Sequence, residues 1–276
     1  MTDTRAWSGA TSEGYRSARL ASGDEDDLRY AKDLLEHPSL AARLTSALGR
    51  PIELGLGALP AGASAIISNA ARRSLDSALS FAIASMDDRR QESVNWGHKL
   101  AVAMTGMAGG MFGLPALAIE LPLSTTIMLR SIADIARSEG EPIKTAESKL
   151  ACIEVFALGG RLSTDDASES AYFAIRLTLA KALAEAAEHL AGRGITGAAA
   201  PAMVKFLSQV ATRFGVPVSE KLLAQSLPVV GAAGGAVFNT LFIDHFQDMA
   251  RGHFIVRRLE RAYGVEAVRI AYMELP

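Results

Sequence analysis

Apolar side chains recur at helical spacing from Asp26 onward. Leu28, Leu34 and Leu35 open the pattern, and Leu40, Leu44 and Leu48 carry it to Gly49 and Pro51, which stop a helix. No alternating run of Val, Ile and Thr lies between turn signals, so no sheet is predicted. Ala and Leu, both strong helix formers, dominate the chain. The pattern predicts helices over 26–48, 60–85, 89–112, 115–138, 145–159, 165–192, 197–214, 217–226, 229–263 and 265–273. The stretches around Gly49–Pro51, Gly140–Pro142 and Gly192–Gly194 break them, and Ser163–Asp166 supplies a helix cap. Residues 1–25 are polar, aperiodic and rich in Gly and Ser, which predicts a flexible tail ahead of a helical domain over 26–276.

Three segments carry no formal charge: Gly55–Ala71, Leu100–Ile119 and Leu222–Ile243. The last two reach the roughly 20 residues that a membrane-crossing helix needs. Their glycines, Gly106, Gly109, Gly110 and Gly113 in one and Gly231, Gly234 and Gly235 in the other, let helices approach closely. Against crossing stand Pro115 and Pro228, and the polar neighbours Glu120, Gln225, Asn239, Asp244 and His245. Mean hydropathy is only +0.18, low for a membrane protein. The reading preferred is an all-α single bundle with Gly/Ala-rich central helices, apolar all round because they are buried all round. The other reading is a hairpin that enters or lies against a membrane.

Composition narrows the partners. The 276 residues are long enough to bury a core, and 28 basic against 30 acidic residues offer no electrostatic footprint for nucleic acid. Cys152, the single cysteine, excludes a disulfide framework and lies in an apolar stretch that reads as a buried core thiol. The first residues contain no apolar run of signal-peptide type, so a cytoplasmic location is expected, with peripheral contact at the inner face of the membrane as a further expectation.

Two charged groupings stand out on otherwise apolar helices. In the first, Arg130 and Asp134 are four apart and can pair, with Glu120 on the same helix; Glu154 and Asn239 could complete a polar core. The bland reading is an ion pair that fixes helix register. Loss of Arg130 is then expected to cost more stability than loss of Arg258. The second grouping is Asp244, His245, Asp248 and His253, whose spacing puts carboxylates and imidazoles on one broad face. It reads as a solvated or hydrogen-bonded face, or as a divalent-metal site of the kind helical bundles build from acid and His pairs. His37, His98 and His189 have no acid at the required offset on an apolar face. Arg251, Arg257, Arg258 and Arg261 read as a surface face rather than an anionic-lipid patch, although any membrane association by this face would weaken with salt.

No nucleophile elbow, His-Glu-x-x-His or phosphate-binding loop is present in the sequence, and the glycine clusters follow no predicted strand and lack a nearby Lys. No cofactor is expected. The stretches Gly113–Pro115, Glu120–Ala136 (ELPLSTTIMLRSIADIA), Ala151–Gly159 (ACIEVFALG) and Pro228–Gly264 (PVVGAAGGAVFNTLFIDHFQDMARGHFIVRRLERAYG) together resemble the EcsC family over about residues 26–270. That family is named for a protein encoded beside an ATP-driven exporter in Gram-positive bacteria, and its members are helical proteins without assigned catalytic residues. The resemblance implies an accessory or membrane-linked role. The function expected is therefore a non-enzymatic binding protein for an apolar ligand or a membrane partner. A metal-assisted hydrolase using the acidic and His residues is the alternative.

Overall fold

The structure, a computed structural model, describes residues 20–36, 40–48, 62–87, 113–160, 171–193, 201–226 and 232–276. Its elements are α1 (Ser22–Glu36), α2 (Leu40–Leu48), α3 (Ala63–Asp87), α4 (Gly113–Ser138), α5 (Ala146–Leu158), α6 (Ala171–Arg193), α7 (Pro201–Ser226), α8 (Ala232–Tyr263) and α9 (Val265–Glu274). No strand occurs among the described residues, and the helices pack as an all-α bundle. The predicted helix over 89–112, the cap at Ser163–Asp166, and residues 1–19, 51–61 and 227–231 lie outside the described residues.

The helix surrounded on every side is α5. Thr145 caps it by accepting from the Ser148 amide, and every residue from Ser148 to Leu158 is buried. Such a helix shows no amphipathic stripe because it has no solvent side. It touches α3, α4, α6, α7 and α8. Phe156 packs edge-on to Phe214 of α7, with centroids 5.0 Å apart, and also meets Phe246 of α8. At its C-terminal end Gly160 lies so close to α7 that a Cβ there would collide with the Arg213 carbonyl.

Three predicted boundaries change for physical reasons. The single helix expected over 26–48 is two, α1 and α2, because Pro38 lies between them and disfavours helical backbone in the residue before it. α1 begins at Ser22 rather than Asp26. Its first turn is tied down: Asp24 and Asp27 pair with Arg258, and the Tyr263 hydroxyl donates to Asp24 at 2.6 Å. The helices expected over 197–214 and 217–226 are one continuous α7. Pro217 inside it has no N–H for the Arg213 carbonyl, and that is the turn against which Gly160 docks, so packing from α5 holds the helix together there.

Candidate functional site

Polar clusters interrupt the apolar core among the described residues, and α8 contributes to each of the following two. The first lies where the start of α4, the end of α7 and the start of α8 approach one another. Nζ of Lys221 on α7 donates to Oε1 of Glu120 on α4 at 2.8 Å and to Oδ1 of Asn239 on α8 at 3.0 Å. The ammonium also stands 4.8 Å from the centre of the Phe242 ring, a favourable cation–π distance. Lys221 is 3% exposed, so its charge is stabilised by these partners rather than by water.

The second cluster lies deeper. Glu260 of α8 grips the Arg176 guanidinium of α6 with two bonds, 2.6 and 2.9 Å. Nη1 of Arg176 also donates to the Tyr172 hydroxyl at 3.3 Å, and that hydroxyl lies 3.0 Å from Nδ1 of His253. Arginine only donates, so the single phenolic proton is directed to Nδ1. The remaining imidazole proton then sits on Nε2, 3.8 Å from Oε2 of Glu154 on α5. Burial pushes the Glu154 carboxyl up to about 7, although Arg176 and Arg257 pull it down. Burial, helped by the same two arginines, holds His253 well below its ordinary range and therefore neutral. Tyr172 is pushed above its usual range, again by burial. The arrangement holds protons in fixed places inside the core.

The polar core read from sequence is therefore divided. Glu120 and Asn239 meet through Lys221, whereas Glu154 belongs to the His253 cluster. Arg130 is exposed, and Asp134 pairs with Arg137 at 2.7 Å instead of with Arg130. The buried face of α4 runs through Leu121, Thr125, Met128, Ile132 and Ala136, and at 100° per residue Arg130 and Asp134 fall on the opposite side. The Arg130–Asp134 pair expected from spacing does not form.

The second sequence grouping also divides. Asp244 is exposed, and Asp248 pairs with Arg43 of α2 at 2.7 Å. His245 turns to α5, where its Nε2 donates to the Gly159 carbonyl at 2.9 Å and satisfies one of the helix's terminal acceptors. Only His253 joins the deep cluster. Among the described residues no three His, Cys, Asp or Glu side chains are placed to hold a metal ion. Three of the four arginines in the basic run on α8 are engaged too. Arg257 bonds Glu141 and Glu147, Arg258 bonds Asp24, Asp27 and Glu139, and Arg261 bonds Glu141 and the Glu139 carbonyl. These arginines pin the α4–α5 loop and α1 onto α8.

Lys221, Tyr172, Arg176 and Glu260 were not singled out from sequence. Apart from the Tyr172–Arg176 contact four residues apart, their partners lie 18 to 101 residues away, where no local spacing announces them. One signal was available for Arg176, whose neighbours three and four positions away, Tyr172, Phe173, Leu179 and Ala180, are all apolar or aromatic.

No curated protein and no solved structure matches the chain. The sequence model of the EcsC protein family matches residues 39–259, most of the chain, and the protein belongs to the EcsC protein family.

Proposed function

We propose that this is a non-enzymatic helical accessory protein that works by contact with a lipid bilayer, through the end of the bundle where its uncharged segments converge. One observation carries the reading. Three helices from the three charge-free segments dock on one short stretch of α7. The Cα of Gly215 on α7 projects toward Ile67 of α3, with 3.9 Å between the position of a Cβ and the Ile67 Cγ2. Six residues on, Lys221 gathers Glu120 of α4 and Asn239 of α8. Six helical residues span about 9 Å. The described parts of the three uncharged segments, in α3, at the start of α4 and in α7 and α8, thus adjoin one region of the molecule. Ile66 and Val237, one from the first segment and one from the third, are 45% and 49% exposed.

Contact rather than crossing fits the helices, since among the described residues none is long and apolar enough to span a membrane. The Lys221 cluster suits such a place, because it neutralises a buried cation within the apolar core. A basic patch would be the other route to a membrane, but Arg257, Arg258 and Arg261 are committed to acidic partners. The residues of the alternative hydrolase reading make separate contacts, Asp248 with Arg43, His245 with Gly159 and His253 with Tyr172, which supports the accessory reading instead.

Flotation with neutral phosphatidylcholine vesicles tests the reading. The protein should rise with the vesicles at low salt and at high salt alike, because apolar contact is not screened. Protein that stays at the bottom of the gradient in both conditions would sink the proposal. Release by salt alone would assign the contact to surface charge instead.

A further inference from the structure

Nε2 of His253 is fully buried and has no hydrogen-bond partner. Oε2 of Glu154 stands 3.8 Å from it, beyond hydrogen-bond reach. A buried N–H left unmade costs free energy, so the two groups are held slightly apart by the packing around them. Moving the imidazole proton to Nδ1 would leave the phenolic proton without an acceptor, since the other partner of the hydroxyl, Arg176, only donates. Nε2–H therefore faces Glu154 in either charge state of that carboxyl. A carboxylate accepts it and draws α5 toward α8. A carboxylic acid brings a proton of its own to the same gap and accepts less well.

We propose that Glu154 and His253 form a proton-responsive joint between α5 and α8, drawn shut when the carboxyl is ionised and relaxed when it is protonated. The groups around it support this behaviour. Glu154 is faced by Arg176 from α6, by Arg257 and Glu260 from α8, and along its own helix by Glu147. Arg257 is shared with Glu141, the buried acid of the α4–α5 loop, which Ser148 and Arg261 also hold. From α7 the neighbouring part of α5 meets the aromatic ring of Phe214, and from α9 Tyr272 stacks on Tyr172. The two arginines keep the ionised form attainable in the core, while burial raises the carboxyl to about 7, so its charge changes near neutrality. His253 stays neutral throughout, and the moving charge belongs to Glu154 alone. The joint does not depend on membrane contact and is tested on the isolated full chain.

Nitrogen NMR of the imidazole rings, with the wild-type protein titrated through neutrality, reads the joint directly. His253 should remain a neutral ring protonated at Nε2, and its Nε2 resonance should shift with a midpoint near 7 as Glu154 ionises. In Glu154→Gln the same resonance should lose that step without becoming an imidazolium. An imidazolium forming in the ordinary histidine range, an Nε2 resonance indifferent to pH, or an unchanged step in Glu154→Gln would each overturn the proposal. The first two readings need only the wild-type protein and stand even where the variant does not fold.

Discussion

Arg258 of α8 and Asp27 of α1 meet at 2.5 Å, and the same guanidinium also reaches Asp24 and Glu139. One partly exposed arginine thus fastens the first helix and the α4–α5 loop to the longest one. Arg130, by contrast, is exposed, and Asp134 is taken by Arg137. The order of importance expected from helical spacing is therefore reversed. Arg258→Ala should lower stability by about 1 kcal/mol, the upper end for solvent-exposed pairs, while Arg130→Ala should stay within about 0.5 kcal/mol. Thermal melts of the two variants check it. A larger loss from Arg130→Ala would contradict the placement of that side chain.

Lys221 is the reverse case, a charge that water cannot rescue. Lys221→Ala leaves the Glu120 carboxylate and the Asn239 amide without their partner, at a cost of about 3–5 kcal/mol if the loss matches that of other buried pairs. Lys221→Met combined with Glu120→Gln should recover much of it, because the charge has gone from both sides. Urea unfolding of the single and double variants measures the difference. Additive losses would mean that the two residues do not depend on each other.

Gly252 lets α8 lie against α1. A Cβ at this position would come within 2.7 Å of the Leu35 Cγ and 2.9 Å of the Ala31 carbonyl oxygen. Gly252→Ala should destabilise by about 1–3 kcal/mol through overpacking and loosen α1 first. Gly23, in the first turn of α1, has nothing within 4 Å of the same position, and Gly23→Ala should be neutral or stabilising by about 0.5–1 kcal/mol. Hydrogen exchange across Ser22–Glu36 should rise in the first variant and not in the second.

Glu154 and His253 pull the pH dependence of stability in opposite directions. The Glu154 carboxyl is raised from 4.5 to about 7 on folding, so its contribution is full below 4.5 and is lost as pH rises through about 7. By linkage this amounts to about 3 kcal/mol. The His253 imidazole is lowered from 6.5 on folding, so its contribution is present above 6.5 and is lost as pH falls toward the folded value. Between 4.5 and 6.5 folding moves a proton from the imidazole to the carboxyl with little net uptake, and the two slopes offset each other. Glu154→Gln should expose the histidine slope, with stability rising with pH in that window. His253→Gln should expose the opposite slope. Denaturant unfolding of both variants across the window, taken relative to wild type, checks the signs, and a common slope in the two would refute them.

The helical class and the family were legible because Ala and Leu recur at helical period and four stretches carry family-specific residues. What spacing along one helix could not supply was the partner on another. Asp134 had Arg130 at the favoured offset and took Arg137. His245 and His253 looked like companions of Asp244 and Asp248, yet one caps α5 and the other joins Tyr172 from 81 residues away. Prolines misled in both directions. Pro38 separates two helices that periodicity had joined, whereas Pro217 sits inside a helix that packing against Gly160 keeps whole. Lys221 escaped notice because a lysine in a helix is ordinarily solvated, and its burial depends on Glu120, Asn239 and Phe242 arriving from two other helices.

Membrane contact at the Gly-rich end is tested most directly by a polarity-sensitive fluorophore on a cysteine placed at Val237. That residue is half exposed near the start of α8 and should accept the label. The native Cys152 should not compete, since it is fully buried and burial pushes its thiol up to about 12. Arg269→Cys on α9 is the control. It lies beyond the other end of α8, and the 26 residues from Val237 to Tyr263 span about 40 Å of helix. On addition of neutral vesicles the Val237 label should shift to the blue and the Arg269 label should not. A blue shift at Arg269 with none at Val237, or none at either, would contradict the account.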